Sequence, residues 1–123
     1  MSLLLDSNSL LWWLAETRLP EPFIERLKRE SPLYISLVTP WELWVKSAAG
    51  RLDLSPRFEM AVEGAALTIL RPTLADARLA ASLPMLHRDP FDRMIIAQAL
   101  NANLTVVTGD RRFADYGCDV ILV

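Results

Sequence analysis

Short apolar runs alternate along the chain with longer stretches whose apolar residues recur at helical spacing, and this alternation constrains the fold more than any other feature. The short runs have the length of strands and are apolar throughout rather than at every second residue. Strands of that kind belong in a parallel sheet covered on both faces by helices. The predicted strands are residues 3–5, 33–36, 67–70, 104–107 and 120–122. With right-handed crossovers, they predict a three-layer α/β/α fold with a central, mostly parallel five-stranded sheet.

Helices are predicted between these strands from the spacing of apolar residues and from residues that favour helix ends. The predicted helices are residues 10–15, 20–30, 40–49, 55–65, 73–82 and 89–101. Gly50 stands where a glycine commonly ends a helix in the left-handed conformation. Thr73 and Asp76 are spaced as a capping box, which predicts that the helix of residues 73–82 begins here.

Length and composition indicate one folded domain over residues 1–123, because 52% of the 123 residues are hydrophobic. Each apolar run soon meets a charge, so we expect no membrane span and no membrane partner. Cys118 is the one cysteine, which rules out an internal disulfide and is typical of a reducing compartment. We therefore expect a cytoplasmic protein. The formal net charge of −2 is unusual for a protein that binds nucleic acid, because phosphate contacts use Lys and Arg.

Four carboxylates fall where ligands bind in sheets of this type, beyond the carboxyl ends of the strands. Asp6 directly follows the first predicted strand, and Asp110 lies just past the fourth. Glu42 and Asp92 are each in the first turn of a predicted helix. Because the carboxyl ends of parallel strands share one edge, we expect these four side chains to converge there.

Clustered carboxylates repel one another unless they are protonated or hold cations. Oxygen ligands suit Mg²⁺ or Mn²⁺, whereas the Cys and His ligands that Zn²⁺ prefers are missing from the pattern. A divalent ion in such a site can activate water and stabilise the charge of a phosphoryl transition state. The pattern therefore predicts hydrolysis of a phosphodiester by metal-activated water.

Helix capping is the competing interpretation of the same carboxylates. Residues 39–42 (TPWE) have the layout of a capping box with Pro at the first helical position, so Glu42 would cap its own helix. Residues 89–92 (DPFD) repeat this layout, with Asp89 as the N-cap and Asp92 two positions after Pro90. Asp6 would likewise cap a helix, and Asp110 would be an ordinary turn residue.

Four segments together resemble a known family. They are residues 3–14 (LLLDSNSLLWWL), 41–46 with 50–52 (WELWVK, GRL), 87–93 with 95–99 (HRDPFDR, IIAQA) and 104–110 (LTVVTGD). In this order and spacing, they resemble the PIN domains, and within that family the VapC toxins of bacterial toxin–antitoxin pairs. The resemblance covers essentially the whole chain. It implies a PIN-like fold and a Mg²⁺- or Mn²⁺-dependent endoribonuclease that cuts RNA, is often a homodimer and is inhibited by a cognate antitoxin.

The resemblance also implies roles for particular residues. It places metal ligation on Asp6, Glu42, Asp92 and Asp110, and Asp89 is the alternative to Asp92. Ser7 and Thr108 match small hydroxyl positions near the metal and are supporting candidates. Two positions depart from the family pattern, since Asn8 stands where many relatives have His and Pro40 is an unusual neighbour for the second segment.

Several charged and aromatic residues lie near the predicted acidic edge. The candidates for contact with RNA phosphates are Arg88, Arg93, Arg111 and Arg112, with salt-bridged surface positions as the alternative. Lys46, four residues after Glu42, indicates a helical ion pair. His87 is interpreted as structural, because metal-activated water needs no histidine. One or two of the four Trp residues are candidates for anchoring a partner.

Two other functions remain open on the sequence alone. A phosphatase of the haloacid-dehalogenase type also places Asp after the first strand, and Asp110 with Asp115 faintly resembles its metal motif. That chemistry needs a second Asp two residues after the nucleophile, where this chain has Asn8. The third possibility is a non-catalytic interaction module in which the carboxylates only cap helices.

Overall fold

A computed structural model describes residues 2–29 and 32–123 and contains one five-stranded sheet. The strands are β1 (Leu3–Leu5), β2 (Leu33–Ser36), β3 (Leu67–Leu70), β4 (Thr105–Thr108) and β5 (Asp119–Leu122). Their order is β3-β2-β1-β4-β5, and all four neighbouring pairs are parallel. The predicted fold class is confirmed, and each strand lies within one residue of its predicted position.

Helices cover both faces of this sheet. They are α1 (Ser7–Ala15), α2 (Glu21–Arg29), α3 (Val38–Ala48), α4 (Phe58–Gly64), α5 (Leu74–Ser82) and α6 (Pro90–Ala102), followed by a 3₁₀ helix (Arg111–Tyr116). Leu3 and Leu5 point into a core shared with α1, α2 and α4, whereas Leu4 points into a core shared with α6. Successive strand residues thus face opposite layers, and this is why the strands are apolar at every position.

Two of the predicted helix ends have the expected chemistry. At α3, Gly50 has a φ of 73°, and its N–H donates to Ser47 O while the N–H of Arg51 donates to Lys46 O. This pair of bonds is the Schellman motif. At α5, Asp76 N donates to Thr73 Oγ1 and Thr73 N donates to Asp76 Oδ2, so the predicted capping box is present.

Other predicted helix starts are wrong by two or three residues. Helix α1 begins at Ser7 rather than residue 10, because Asp6 accepts a hydrogen bond from Ser9 N and caps it. Helix α3 begins at Val38 rather than residue 40, after the Ser36 hydroxyl accepts a bond from Val38 N. Helix α4 begins at Phe58 rather than residue 55. The predicted end of the second helix, at Glu30, lies outside the described residues.

None of the helices in residues 2–29 and 32–123 is long and apolar enough to cross a lipid bilayer.

Candidate active site

The centre of the sheet is its topological switch point, where the chain order reverses between β1 and β4. The elements that follow these two strands pack on opposite faces of the sheet, and the region at the carboxyl ends of β1 and β4, the crevice, is where sheets of this kind bind ligands. Asp6 directly follows β1, and its N–H donates to Val107 O on β4 at 3.2 Å. Asp110 lies two residues after Thr108, the last residue of β4. These two predicted carboxylates therefore lie at the same crevice.

Asp6 is buried and held by hydrogen bonds on both oxygens. Its Oδ1 accepts from Ser9 N at 3.0 Å, and its Oδ2 accepts from the Thr108 hydroxyl at 2.6 Å. Burial raises the pKa of Asp6 above its ordinary value, and the two hydrogen bonds only partly oppose that effect. Asp6 therefore caps α1 and faces the crevice at once.

Thr108 also connects Asp6 to Asp110, because its Oγ1 accepts from Asp110 N at 2.9 Å. Asp110 caps the 3₁₀ helix through a bond from Arg112 N, and its Oδ2 lies 2.7 Å from Arg112 Nη2. The hydrogen bonds from Arg112 hold the pKa of Asp110 below its ordinary value. Asp110 is thus ionised beside Asp6, whose neutral form is favoured by burial.

Glu42 is 2% exposed and faces the same crevice from α3. Its Oε1 accepts from the Ser7 hydroxyl at 2.5 Å, and its Oε2 lies 2.6 Å from Lys46 Nζ. This hydrogen bond raises the pKa of Lys46, and the predicted ion pair is present. The predicted capping box at residues 39–42 is wrong, because α3 begins one residue before Thr39. The Thr39 hydroxyl is buried and has no hydrogen-bond partner within the described part of the chain.

Asp92 enters the crevice from the first turn of α6. Asp89 caps that helix, as predicted, by accepting from Phe91 N at 2.9 Å. A capping-box carboxylate at Asp92 would accept from Asp89 N, which instead donates to His87 Nδ1. Burial, followed by the charges of Asp89, Glu42, Asp6 and Asp110, raises the pKa of Asp92 to about 8. The predicted carboxylates therefore lie close enough to act on one another.

His87 belongs to this cluster, whereas the sequence predicts only a structural role for it. It is 4% exposed, and its Nε2 lies 2.8 Å from Asp92 Oδ2 and 3.3 Å from Asp110 Oδ2. One ligand atom each from His87, Asp92 and Asp110 lies within 4.8 Å of the others. The position of His87, five residues before Asp92 in the third family-like segment, was the signal available in the sequence.

The four predicted phosphate-binding arginines have different environments. Arg93 is 7% exposed, and its guanidinium donates to the backbone oxygens of Leu83, Pro84 and His87. This burial and these three bonds favour a structural role for Arg93 over the predicted phosphate contact. Arg112 is exposed and paired with Asp110. Arg88 and Arg111 are exposed beside the crevice residues His87 and Asp110.

An apolar groove of about 380 Å³ runs beside the crevice, between α3, α4 and the edge of β3. Trp41 and Trp44 line it and are 58% and 45% exposed. The ring of Trp41 contacts Phe91 edge-on, with centroids 5.0 Å apart, so the groove adjoins the start of α6. Glu59 and Glu63 lie on its lining.

Comparison with known proteins identifies the family of this chain. The model of the PIN domain family matches residues 3–117. The chain belongs to the PIN domain family. No curated protein sequence matches the chain. The predicted PIN resemblance is confirmed, and membership of this family removes the haloacid-dehalogenase alternative.

Solved structures of toxin–antitoxin complexes share this PIN fold. DNA-bound VapBC from Salmonella typhimurium is 26% identical, with a TM-score of 0.76 over 98% of this chain and 97% of that one. VapBC2 from Rickettsia felis, bound to a promoter DNA fragment, is 16% identical, with a TM-score of 0.75 over 100% and 99%. VapBC-1 from nontypeable Haemophilus influenzae is 21% identical, with a TM-score of 0.68 over 99% and 98%.

Proposed function

We propose that this PIN domain is a Mg²⁺- or Mn²⁺-dependent endoribonuclease and the toxin of a toxin–antitoxin pair. One observation carries the proposal. Asp6, Glu42, Asp92 and Asp110 come from four separate elements and meet at the crevice between β1 and β4, where their charges act on Asp92. A phosphodiester hydrolase that uses divalent metal needs such a set of oxygen ligands.

Capping alone accounts for only part of this cluster. Asp6, Asp89 and Asp110 each cap a helix. Buried Glu42 and half-buried Asp92 instead bring two more carboxylates into the crevice, and the charges of its neighbours help to raise the pKa of Asp92. Burying charge without compensation costs stability. A function that uses the charge explains this cost, and a purely structural module does not.

The residues of the crevice fit a hard divalent ion. One oxygen each of Asp92 and Asp110 lies within 4.8 Å of the other, Asp6 is near enough for its charge to act on Asp92, and Glu42 is held by Ser7 and Lys46. The pKa of Asp92 is raised by burial and by the negative charges of its neighbours. A bound cation would offset these charges. When bound, Mg²⁺ or Mn²⁺ would acidify a water molecule and stabilise charge on the phosphate.

The chain's own residues supply orientation for this reaction. Ser9 N and the Thr108 hydroxyl leave Asp6 little rotational freedom, and Ser7 does the same for Glu42. Arg88 and Arg111 are exposed at the edge of the crevice and would contact RNA phosphates. Local contacts of this kind are compatible with a net charge of −2 because they need only a few cations on one edge.

The test is cleavage of a mixed RNA substrate with Mg²⁺, with Mn²⁺ and with a chelator. Asp6→Asn keeps an oxygen that caps α1, since Asn caps as well as Asp, but removes the charge. We expect this variant to unfold at a temperature close to that of the wild type and to lose metal-dependent cleavage. Asp53→Asn, at an exposed carboxylate, is the control and should cleave normally. Wild-type cleavage that survives the chelator would overturn the proposal.

We also propose an antitoxin as the protein partner, by analogy with the VapBC complexes that share the fold. The groove beside the crevice suits it, because Trp41 and Trp44 offer exposed aromatic surface and Glu59 and Glu63 favour a segment with basic residues. Expression of the chain alone should arrest growth, and co-expression of a small protein encoded beside it should relieve the arrest. Trp44→Glu should prevent this relief, whereas Met60→Glu, at an exposed residue of α4 that does not line the groove, should not.

The expected homodimer, the cytoplasmic location and the single domain over residues 1–123 stay predictions. Sedimentation of the purified chain with and without the antitoxin tests the first of them.

A further inference from the structure

The segment that carries His87 is unusually well anchored for a loop. The guanidinium of Arg93 donates to Leu83 O at 2.6 Å, Pro84 O at 2.9 Å and His87 O at 3.1 Å. From the other side, the Tyr116 hydroxyl accepts from His87 N at 2.6 Å and donates to Pro84 O at 2.7 Å. The position of the imidazole is therefore determined by α6 and the 3₁₀ helix together.

The orientation of the imidazole is determined by one further contact. Asp89 N lies 3.2 Å from His87 Nδ1 and donates to it. A backbone N–H can only donate, so Nδ1 must present a lone pair, and the ring proton of His87 lies on Nε2. Nε2 is buried and has no hydrogen-bond partner among the described residues, yet it lies 2.8 Å from Asp92 Oδ2 and 3.3 Å from Asp110 Oδ2.

This arrangement is the reverse of that of a metal-binding histidine. A ligating imidazole binds through a lone pair and donates its other N–H to an acceptor. In His87, the nitrogen that faces the carboxylates carries the proton, and the other nitrogen faces a donor. Geometric proximity to Asp92 and Asp110 therefore does not make His87 a ligand.

We propose that His87 is a positioning residue that directs a fixed N–H between Asp92 and Asp110, keeps their carboxylates side by side for the divalent ion, and does not itself bind the ion. The inference rests on the proposed function, because the ion is the one that function requires. In this proposal, His87 connects Asp92 at the start of α6 with Asp110 after β4. Thr108 connects Asp6 with Asp110 in a corresponding way.

The first experiment needs no substitution. Mn²⁺ bound to the wild-type chain is examined by pulsed electron paramagnetic resonance for hyperfine coupling to a directly coordinated imidazole ¹⁴N. We expect bound Mn²⁺ without that coupling. A coupling typical of direct coordination, at the one histidine of the chain, would overturn the inference while leaving the proposed nuclease standing. Failure of the wild type to bind Mn²⁺ at all would overturn the proposed function and this inference with it.

The second experiment separates metal binding from turnover. His87→Ala should weaken Mn²⁺ binding, measured by calorimetry, by about tenfold or more, as is usual when a residue that orients ligands is lost. Cleavage at saturating Mn²⁺ should stay near the wild-type maximum. His87→Gln, whose amide N–H reaches the same place, should recover most of the affinity. Unchanged affinity in His87→Ala, or a fall in maximal rate alone, would overturn the inference.

Tyr116→Phe is the matched control for loop anchoring. It removes the three hydrogen bonds of the Tyr116 hydroxyl, to His87 N, Pro84 O and His87 O, and leaves the three bonds of Arg93 in place. Because the bonds of Arg93 still hold the loop, we expect a lower unfolding temperature and a loss of Mn²⁺ affinity clearly smaller than that of His87→Ala. If Tyr116→Phe weakened Mn²⁺ binding as much as His87→Ala, the role of His87 would be only to hold the loop.

Discussion

The hydroxyl of Thr108 donates to Asp6 Oδ2 across 2.6 Å, although the two residues are 102 positions apart in the chain. The contact exists because β1 and β4 are parallel neighbours at the centre of the sheet. The same oxygen of Thr108 accepts from Asp110 N, so one hydroxyl orients two of the proposed metal ligands. The carboxyl end of this strand pair thus builds the crevice.

Replacing Thr108 by Val should therefore affect both stability and activity. The variant keeps the shape of the buried side chain but leaves Asp6 Oδ2 and Asp110 N without this partner. We expect a loss of about 1–3 kcal/mol in the free energy of unfolding, measured with urea, and weaker metal-dependent cleavage. Thr108→Ser keeps the hydroxyl and should retain both properties more fully. Equal behaviour of the two variants would mean that the hydroxyl is unimportant.

The raised pKa of Asp92 makes the metal-free protein sensitive to pH. The folded chain holds a proton at Asp92 that the unfolded chain has released, so stability from this group is lost as pH rises from the ordinary 3.8 towards about 8. Asp92→Asn cannot ionise and should exceed the wild type by on the order of 2 kcal/mol at pH 9, and by less at pH 5. Urea unfolding in chelator at the two pH values measures this difference. A difference that is the same at both would contradict the assignment.

Without metal, Asp92→Asn should be more stable than the wild type at high pH, and added Mg²⁺ should reverse this order. An ion bound to the folded state alone stabilises it in proportion to the logarithm of its concentration over Kd. Wild-type protein should gain unfolding temperature with added Mg²⁺ at pH 8, whereas Asp92→Asn should gain little. A thermal scan over a Mg²⁺ series is the measurement, and an equal gain in both proteins would place the ion elsewhere.

Lys46 should contribute far more to the free energy of unfolding than a surface lysine does, because its partner Glu42 is buried. Lys46→Met leaves Glu42 with Ser7 as its remaining polar contact, and we expect a loss of about 2–4 kcal/mol at pH 7. Lys28, paired with exposed Glu25 at 3.6 Å, is the matched control, and Lys28→Met should change stability by less than about 0.5 kcal/mol. Adding Glu42→Gln to Lys46→Met should recover stability, and failure to do so would show that the charge of Glu42 is not the cause.

Arg93 and Arg88 should separate folding from RNA binding. Arg93→Lys cannot reach three carbonyls with one ammonium group, so we expect a loss of about 2–4 kcal/mol in unfolding free energy. Arg88→Gln should leave stability unchanged and weaken RNA binding, with a shallower dependence on salt. Unfolding and filter binding over a salt series measure the two effects. Normal stability of Arg93→Lys would restore it as a candidate for phosphate contact.

The strands and their parallel arrangement were predictable because the information is local. A run such as Leu3–Leu5, apolar at every position, can be stable only between two helical layers. The carboxylate positions followed from the same pattern, since Asp6 and Asp110 come where strands end. The capping box at Thr73 was also readable, because its donors and acceptors lie within four residues.

Other features were not readable because their partners are distant. Thr39 has the sequence context of an N-cap, yet α3 begins before it, where Val38 N finds the Ser36 hydroxyl. Arginine is a typical surface residue, but Arg93 is buried and donates to the backbone oxygens of Leu83, Pro84 and His87. The sequence indicates a structural role for His87, whereas its Nε2 lies beside the carboxylates of Asp92 and Asp110, which come from other parts of the fold.

Hydrophobic spacing thus determined the α/β layers and the strands, because burial of apolar surface depends on the periodicity of neighbouring residues, and the ends of these elements predicted four carboxylates at one edge. Only the tertiary structure decided which oxygen faces which donor, that Glu42 pairs with Ser7 and Lys46, and that His87 joins the cluster. Those contacts depend on distances of about 3 Å between residues from different elements, and strand order and helix packing, rather than local propensity, set such distances.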